Sequence, residues 1–176
     1  MFDMKFYEEK MANLEINSCM LCQNLSDKPY IGWNAKTVFN NPDDYFLIDG
    51  KYAGGNVIAF PGDMVCNWIS DRNIIGDFVQ DICIYLSNKG IEVYGDNNDV
   101  MVNGRKLFGT MTNNYNGNYY EGMFLSFDPD KEIIKKICTK EMKKEPIGFT
   151  ELGVTHEEII KLCQELIKKY GMKEVE

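Results

Sequence analysis

A chain of 176 residues with 44% hydrophobic and 12% aromatic content is near the usual size of one domain and carries enough apolar side chain for a single sizeable core. Its 27 acidic against 19 basic residues give a net charge of -8, which repels phosphate backbones and argues against nucleic acid as a partner. No apolar run approaches the roughly 20 residues that a membrane span needs, and the opening MFDMKFYEEK does not read as a secretion signal, so no membrane partner and a cytoplasmic location are expected.

In chain order, Met4, Tyr7, Met11 and Leu14 make a helical stripe, which predicts a short helix over 4–14. Short apolar runs at Cys19 to Cys22, Tyr30 to Trp33 and Tyr45 to Ile48 follow, separated by Asn, Asp and Pro clusters, and read as strands. From Ile75, the positions Phe78, Val79, Ile82, Cys83 and Leu86 keep a period near 3.6, and Gly90 stands where a left-handed cap would close that helix. Ile91 to Tyr94 predicts another strand. Asn103-Gly104, between Val-Met-Val and Arg-Lys-Leu, is the favoured two-residue turn of a tight hairpin over 99–112. Tyr119 to Phe127 reads as a further strand, and Asp130 as the start of a lysine-rich helix with Ile133, Ile134 and Ile137 on its buried side. Thr155 followed by Glu158 is a capping box, and Ile159, Leu162, Cys163, Leu166, Ile167 and Tyr170 form one face of the final helix before Gly171. These elements, a sheet with flanking helices, imply an α+β fold in one domain over 1–176.

Two segments could carry chemistry. Gly54-Gly55-Asn56, between Lys51 and the apolar Val57-Ile58-Ala59, would let backbone N–H groups approach an anion, although glycine turns serve chain geometry more often than ligands. About 45 residues on, DNNDVMVNGRKLFGTM holds Lys106 beside the tight turn. In regular strand geometry Arg105 and Leu107 share one face and Lys106 points to the other, where a lysine on a rigid strand can meet developing negative charge. The six cysteines, at 19, 22, 66, 83, 138 and 163, lie scattered in apolar segments and are expected to be reduced core thiols. Cys19 and Cys22, three apart on a strand, face opposite sides and have no downstream ligand pair, so no metal site built from a cluster of protein ligands is expected. His156, the single histidine, falls in the first turn of the last helix and reads as an ordinary polar residue. Lysines 131, 135, 136, 140, 143 and 144 form a basic stretch on an acidic chain, either a solvated face or an attraction for an acidic partner.

In order along the chain, these pieces resemble the lipoate-protein ligases, which share a fold and a catalytic lysine with biotin protein ligases and octanoyl transferases. Met20-Leu21-Cys22-Gln23-Asn24 and Tyr30-Ile31-Gly32-Trp33-Asn34 look like the family's early strands ending in an Ile-Gly-Arg-Asn type turn. Lys51 to Ile58 is similar to its Arg-x-Ser-Gly-Gly-Gly-Ala-Val segment. Asn98-Asp99-Val100 and Arg105-Lys106-Leu107-Phe108-Gly109 are similar to its Asn-Asp and Gly-Lys-Lys-Ile-Ser-Gly element, the most specific part of the match. Glu121 to Leu125 resembles the His-Gly-Thr-Leu-Leu strand, and Phe149 to Leu152 part of the Asn-Leu-Ser-Glu-Leu piece. The departures are Lys51, Ala53 and Asn56 for the family's arginine, serine and third glycine, and Phe60-Pro61 for its His-Asp.

The resemblance implies acyl transfer, through an acyl-adenylate made from lipoate and ATP with Mg2+, to a lysine of an acidic lipoyl-domain acceptor. Lys106 would be the catalytic cation. Lys51, Gly54, Gly55, Asn56, Asn98, Asp99 and Gly109 would bind the adenylate, Asn98 and Asp99 anchoring it or its Mg2+, and Ile58, Val100 and Leu107 would line the acyl tunnel. It also implies a mixed or antiparallel sheet with helices mainly on one side, in a catalytic domain without the family's small C-terminal accessory domain, so that either an accessory chain supplies that part as a further partner or the activation step is not performed. Two alternatives remain open: a non-catalytic protein of this fold that holds an acyl-adenylate or a lipoyl domain, and a biotin or octanoyl transferase. Neither Cys138 nor Cys163 matches the cysteine motifs of octanoyl transferases.

Overall fold

The computed structural model describes residues 1–33, 42–49, 57–138 and 143–175. In chain order these form β1 (Phe2–Asp3), α1 (Tyr7–Ala12), β2 (Ser18–Gln23), β3 (Tyr30–Trp33), β4 (Phe46–Asp49), β5 (Val57–Ala59), β6 (Met64–Ser70), α2 (Ile75–Asn88) and β7 (Val93–Asp96), then β8 (Asp99–Val102), β9 (Arg105–Tyr115), β10 (Asn118–Leu125), α3 (Lys131–Ile137), α4 (His156–Lys169) and β11 (Lys173–Glu174). The large sheet runs β2-β6-β10-β9-β8-β7, all neighbours antiparallel. β1 and β11 both join the outer edge of β2 in parallel, so the two ends of the described chain cover one sheet edge and make the sheet mixed. A smaller sheet has the order β4-β3-β5, with β3 parallel to β4 and antiparallel to β5. The α+β fold expected from the sequence is the one observed.

Period-2 geometry sorts the side chains of the central strands into two cores. Cys19 and Leu21 of β2 join Cys66 and Trp68 of β6 beneath Phe78, Ile82 and Leu86 of α2 and Ile159 and Leu166 of α4. Met20 and Cys22 face the other way with Val65, against Met4, Tyr7 and Met11 and against Tyr30, Ile48 and Ala59 of the small sheet. Cys19 and Cys22 therefore lie on opposite faces, as their spacing required. The larger helices do gather on one side; α1 and the small sheet cover the other.

Local signals set most boundaries. Asn103 and Gly104 have φ of 50° and 76°, the two positive values of a tight hairpin turn, and Asn116-Gly117 repeats the device at 53° and 82°. Thr155 and Glu158 make the reciprocal capping box, and Gly90, at φ 80°, lies just beyond α2. The N-terminal stripe is shorter than the expected helix, because a 3-10 turn over Met4–Phe6, with Lys5 N–H donating to Asp3, precedes α1. β7 starts at Val93 rather than Ile91.

The centre of the large sheet contains a buried polar cluster. Glu121 stands opposite Trp68 and accepts from its Nε1 at 2.9 Å, from the Ile74 N–H at 3.0 Å and from Thr112 Oγ1 at 3.0 Å. Three donors satisfy a carboxylate that has no access to water. Beside it, Gly122 stands opposite Asn67, whose amide donates to Tyr7 at 2.6 Å and occupies the space a side chain at 122 would need.

The segment 145–150 crosses the end of β10 at close range. Phe149 N–H donates to the Ser126 carbonyl at 3.0 Å, and a Cβ placed on Gly148 would lie 1.8 Å from the Phe127 carbonyl oxygen. Because that oxygen is main chain, relief requires the backbone itself to move. Gly148→Ala should therefore destabilise the protein by about 3 kcal/mol, measured as a lower denaturant midpoint. An unchanged midpoint would show that the crossing is loose.

Candidate functional site

The site grows from an irregularity in the β8–β9 hairpin. Val100 pairs with Phe108 but Met101 with Lys106, so Leu107 is an extra residue on β9. The expected alternation of Arg105, Lys106 and Leu107 is therefore broken, and Leu107 and Phe108 are both buried. The shift lays Lys106 along Gly109, three residues ahead. A methyl on Gly109 would stand 3.2 Å from Lys106 Nζ and 3.4 Å from Asp99 Oδ1, so glycine leaves this space to the ion pair.

Lys106 extends past the end of β10, where the last pair is Phe108 with Leu125. The segment after α3 fills the vacant place in the sheet. Lys106 N–H donates to the Glu145 carbonyl at 2.8 Å, and Ile147 N–H donates to the Lys106 carbonyl at 2.9 Å. Arg105 fastens the same segment, donating through Nη2 to the Pro146 carbonyl at 2.8 Å and to Glu151 at 3.0 Å. The lysine backbone is thus fixed from both sides, with its side chain left 41% exposed.

Asp99 organises the charges. Its Oδ1 lies 2.7 Å from Lys106 Nζ and its Oδ2 2.8 Å from Lys144 Nζ. Lys144 also lies 2.8 Å from Asp96 Oδ2, across the turn at Asn97-Asn98. Partial burial raises the Asp99 carboxyl, but the Lys106 and Lys144 ammonium groups outweigh it and hold the carboxyl below its ordinary value. Asn98 gives its main-chain oxygen to Thr110, at 2.7 Å from N and 3.0 Å from Oγ1.

These groups form one wall of a cavity of about 670 Å³. Asn97 to Asp99, Lys106, Lys143 and Lys144 make its charged end; Val57, Ile58, Phe60, Met111, Phe124, Ile134 and Cys138 make its apolar walls. A charged head next to an apolar pocket suits an amphiphilic ligand with an anionic end. Of the expected site residues, Asn98, Asp99, Lys106 and Gly109 come together here. Lys51, Gly54, Gly55 and Asn56 fall outside the described residues. Among the expected tunnel residues Ile58 lines the cavity, whereas Leu107, at its border, and Val100 are both buried in the core beneath the helices.

The basic stretch does not act as one patch. Lys131 pairs with Glu145, Lys135 with Glu132 at 2.7 Å and Lys136 with Asp44 at 2.9 Å, while Lys143 and Lys144 face the cavity. Lys140 lies outside the described residues. His156 is less exposed than its helix position suggested, stacking on Phe127 with ring centroids 3.6 Å apart and bonding the Gly62 carbonyl at 2.8 Å. Cys138 lines the cavity, but burial pushes its thiol up, away from the thiolate that nucleophilic attack needs. Among the described residues no group of three or more His, Cys, Asp or Glu could hold a metal ion. The Mg2+ contact expected of Asp99 does not fit the observed arrangement, because both oxygens of that carboxylate are taken by ammonium groups.

No protein-family model matches the chain. A lipoate-protein ligase of Streptococcus pyogenes is 31% identical over 98 residues, 52% of this chain and 29% of the relative. P. falciparum LipL1 in complex with lipoate superposes with a TM-score of 0.68 at 18% identity, over 86% of this chain and 49% of that one. A bi-partite lipoate protein ligase from Thermoplasma acidophilum, described together with its lipoyl domain, gives 0.65 at 11% identity, over 97% and 80%. Lipoate-protein ligase A bound with ATP gives 0.62 at 14% identity, over 96% and 80%. The chain thus has the fold of the lipoate-protein ligase catalytic domain, and over 98 residues it resembles the Streptococcus protein in sequence. It matches under a third of the Streptococcus relative and about half of the P. falciparum chain.

Next to the cavity, Asp63 ties the β5–β6 turn to the end of β10, accepting from Phe127 N at 2.8 Å, Phe60 N at 2.9 Å and Ser126 Oγ at 3.0 Å. Burial outweighs these three bonds and pushes the carboxyl from 3.8 up to about 7. A carboxyl raised on folding stabilises the fold fully below its unfolded value, and that contribution is lost as pH rises through the folded value. The stability of the wild type relative to Asp63→Asn should therefore fall as pH rises from about 4 to about 7. Denaturant midpoints of both proteins across that window provide the check, and a constant difference between them would contradict it.

Proposed function

We propose that this domain holds a lipoyl-adenylate in the cavity beside Lys106 and passes the acyl group to a lysine of a lipoyl-domain acceptor. The observation that carries the reading is the placement of Lys106, main chain fixed on both sides and ammonium at the charged end of a pocket with apolar walls. The likeness to lipoate-protein ligases in fold and, over 98 residues, in sequence supports it, as does the similarity of the Lys106 segment to the family's lysine motif. The lipoyl chain packs among Val57, Ile58, Met111 and Phe124, and the phosphate lies toward Lys106 and Lys143.

In the transfer step the neutral amine of the acceptor lysine attacks the acyl carbonyl carbon. A C–N bond forms, the C–O bond to the adenylate phosphate breaks, AMP leaves with the bonding pair, and the amine releases a proton to water. Negative charge grows first on the carbonyl oxygen and then on the departing phosphate. Lys106 stabilises both, and since its backbone is already ordered, little reorganisation is needed as the charge develops. Formation of the adenylate from lipoate and ATP is the step for which Lys51, Ala53 and Phe60-Pro61 depart from the family pattern. We assign that step to an accessory polypeptide, in keeping with the bi-partite ligase that shares this fold. The acceptor is read as acidic because the cavity mouth presents Lys106 and Lys143; the paired lysines of α3 contribute less.

Lys106→Ala should leave the fold intact and lower transfer from pre-made lipoyl-adenylate by a factor of about 10², followed by intact mass of the acceptor domain. The same assay started from lipoate and ATP should show slow or no transfer without an accessory chain. If the wild type binds the adenylate but never modifies the acceptor, the domain is a carrier rather than a transferase. Equal transfer rates with and without Lys106 would remove this lysine from the chemistry.

A further inference from the structure

Three oxygens converge on a single nitrogen in the charged wall. Lys144 Nζ lies 2.8 Å from Asp99 Oδ2, 2.8 Å from Asp96 Oδ2 and 3.4 Å from the Asp96 carbonyl oxygen. Two carboxylates and a carbonyl are the donor types a hard divalent cation selects, here assembled by the turn at Asn97-Asn98 that sets Asp96 opposite Asp99. An ammonium group has three N–H donors and matches three acceptors. Its place is not incidental, because the neighbouring residue, Glu145, accepts the Lys106 N–H and so sets Lys144 relative to the lysine it balances.

We propose that Lys144 is a built-in cation standing where a divalent metal ion would otherwise bind Asp99, so that the anionic ligand of the Lys106 site is held without Mg2+. Lys106 and Lys144 balance Asp96 and Asp99, and Lys143 adds one further positive charge to the same wall. A divalent ion could enter only by displacing the ammonium group. With Lys144 neutralised, Asp96 and Asp99 face each other unpaired on one side and repel an approaching phosphate. The inference rests on the adenylate reading for the identity of the anion, while the ion chemistry at Asp99 can be measured without any nucleotide.

Mn2+ serves as the probe on the full chain, with free ion followed by electron paramagnetic resonance. Wild type should bind Mn2+ no better than Asp99→Asn does. Lys144→Met and, as a second variant, Lys144→Gln should bind it at least about tenfold more tightly, and adding Asp99→Asn should abolish the gain. Calorimetry with a non-hydrolysable lipoyl-adenylate should give the wild type the same affinity in EDTA as in Mg2+, whereas Lys144→Met should lose about tenfold in EDTA and recover with Mg2+. Mn2+ binding by wild type that depends on Asp99, no gain in either Lys144 variant, or a wild-type affinity that collapses in EDTA would each overturn the proposal. If wild type failed to bind the adenylate analogue at all, the acyl-adenylate reading would fall, and the Mn2+ titrations would still decide the role of Lys144.

Discussion

The pairing of the Lys106 main chain with Glu145 and Ile147 is the constraint on which the rest of the site depends. β9 runs beyond its partner β10, and a strand end paired only with β8 would fray in water. The segment after α3 replaces the missing neighbour, and in doing so carries Lys143 and Lys144 to the cavity and seals its rim with Pro146. Arg105 holds the segment through the Pro146 carbonyl and Glu151. The tight approach at Gly148 shows how little freedom remains to it.

A second consequence concerns charge. The chain is acidic overall, so an anionic ligand meets an unfavourable long-range field. The cavity counters this locally, with three lysines against two aspartates on one wall. Asp99 keeps Lys106 and Lys144 near each other despite their like charges, and Gly109 leaves room for the arrangement. Apolar walls next to this cluster strengthen each interaction, because water is partly excluded there. A fixed, partly desolvated cation beside an apolar pocket is the physical requirement for stabilising charge on a bound acyl phosphate.

Much of this was legible in the residues where a local rule operates. Asn103-Gly104 marks a turn because asparagine and glycine tolerate positive φ, and Thr155 with Glu158 marks a helix start because each satisfies the other's donor. Lys106, Asp99 and Gly109 were legible through their shared motif. Features set by distant parts of the chain were not. β6 is buried on both faces, so it shows no alternation, and its polar Asn67 and Ser70 obscure the apolar run. The bulge at Leu107 has no glycine or other marker. Lys144 looked like one more member of a basic run, because its partners Asp96 and Asp99 lie more than forty residues earlier and only the pairing at Lys106 brings them together.

On the proposed function, the cavity beside Lys106 accepts an acyl group already joined to AMP. Native mass spectrometry of the purified chain, titrated separately with a non-hydrolysable lipoyl-adenylate and with ATP, tests it most directly. A one-to-one adenylate complex should survive at concentrations where ATP leaves the protein unbound, and Lys106→Ala should weaken it. Equal or tighter retention of ATP, or an adenylate complex indifferent to Lys106, would contradict it.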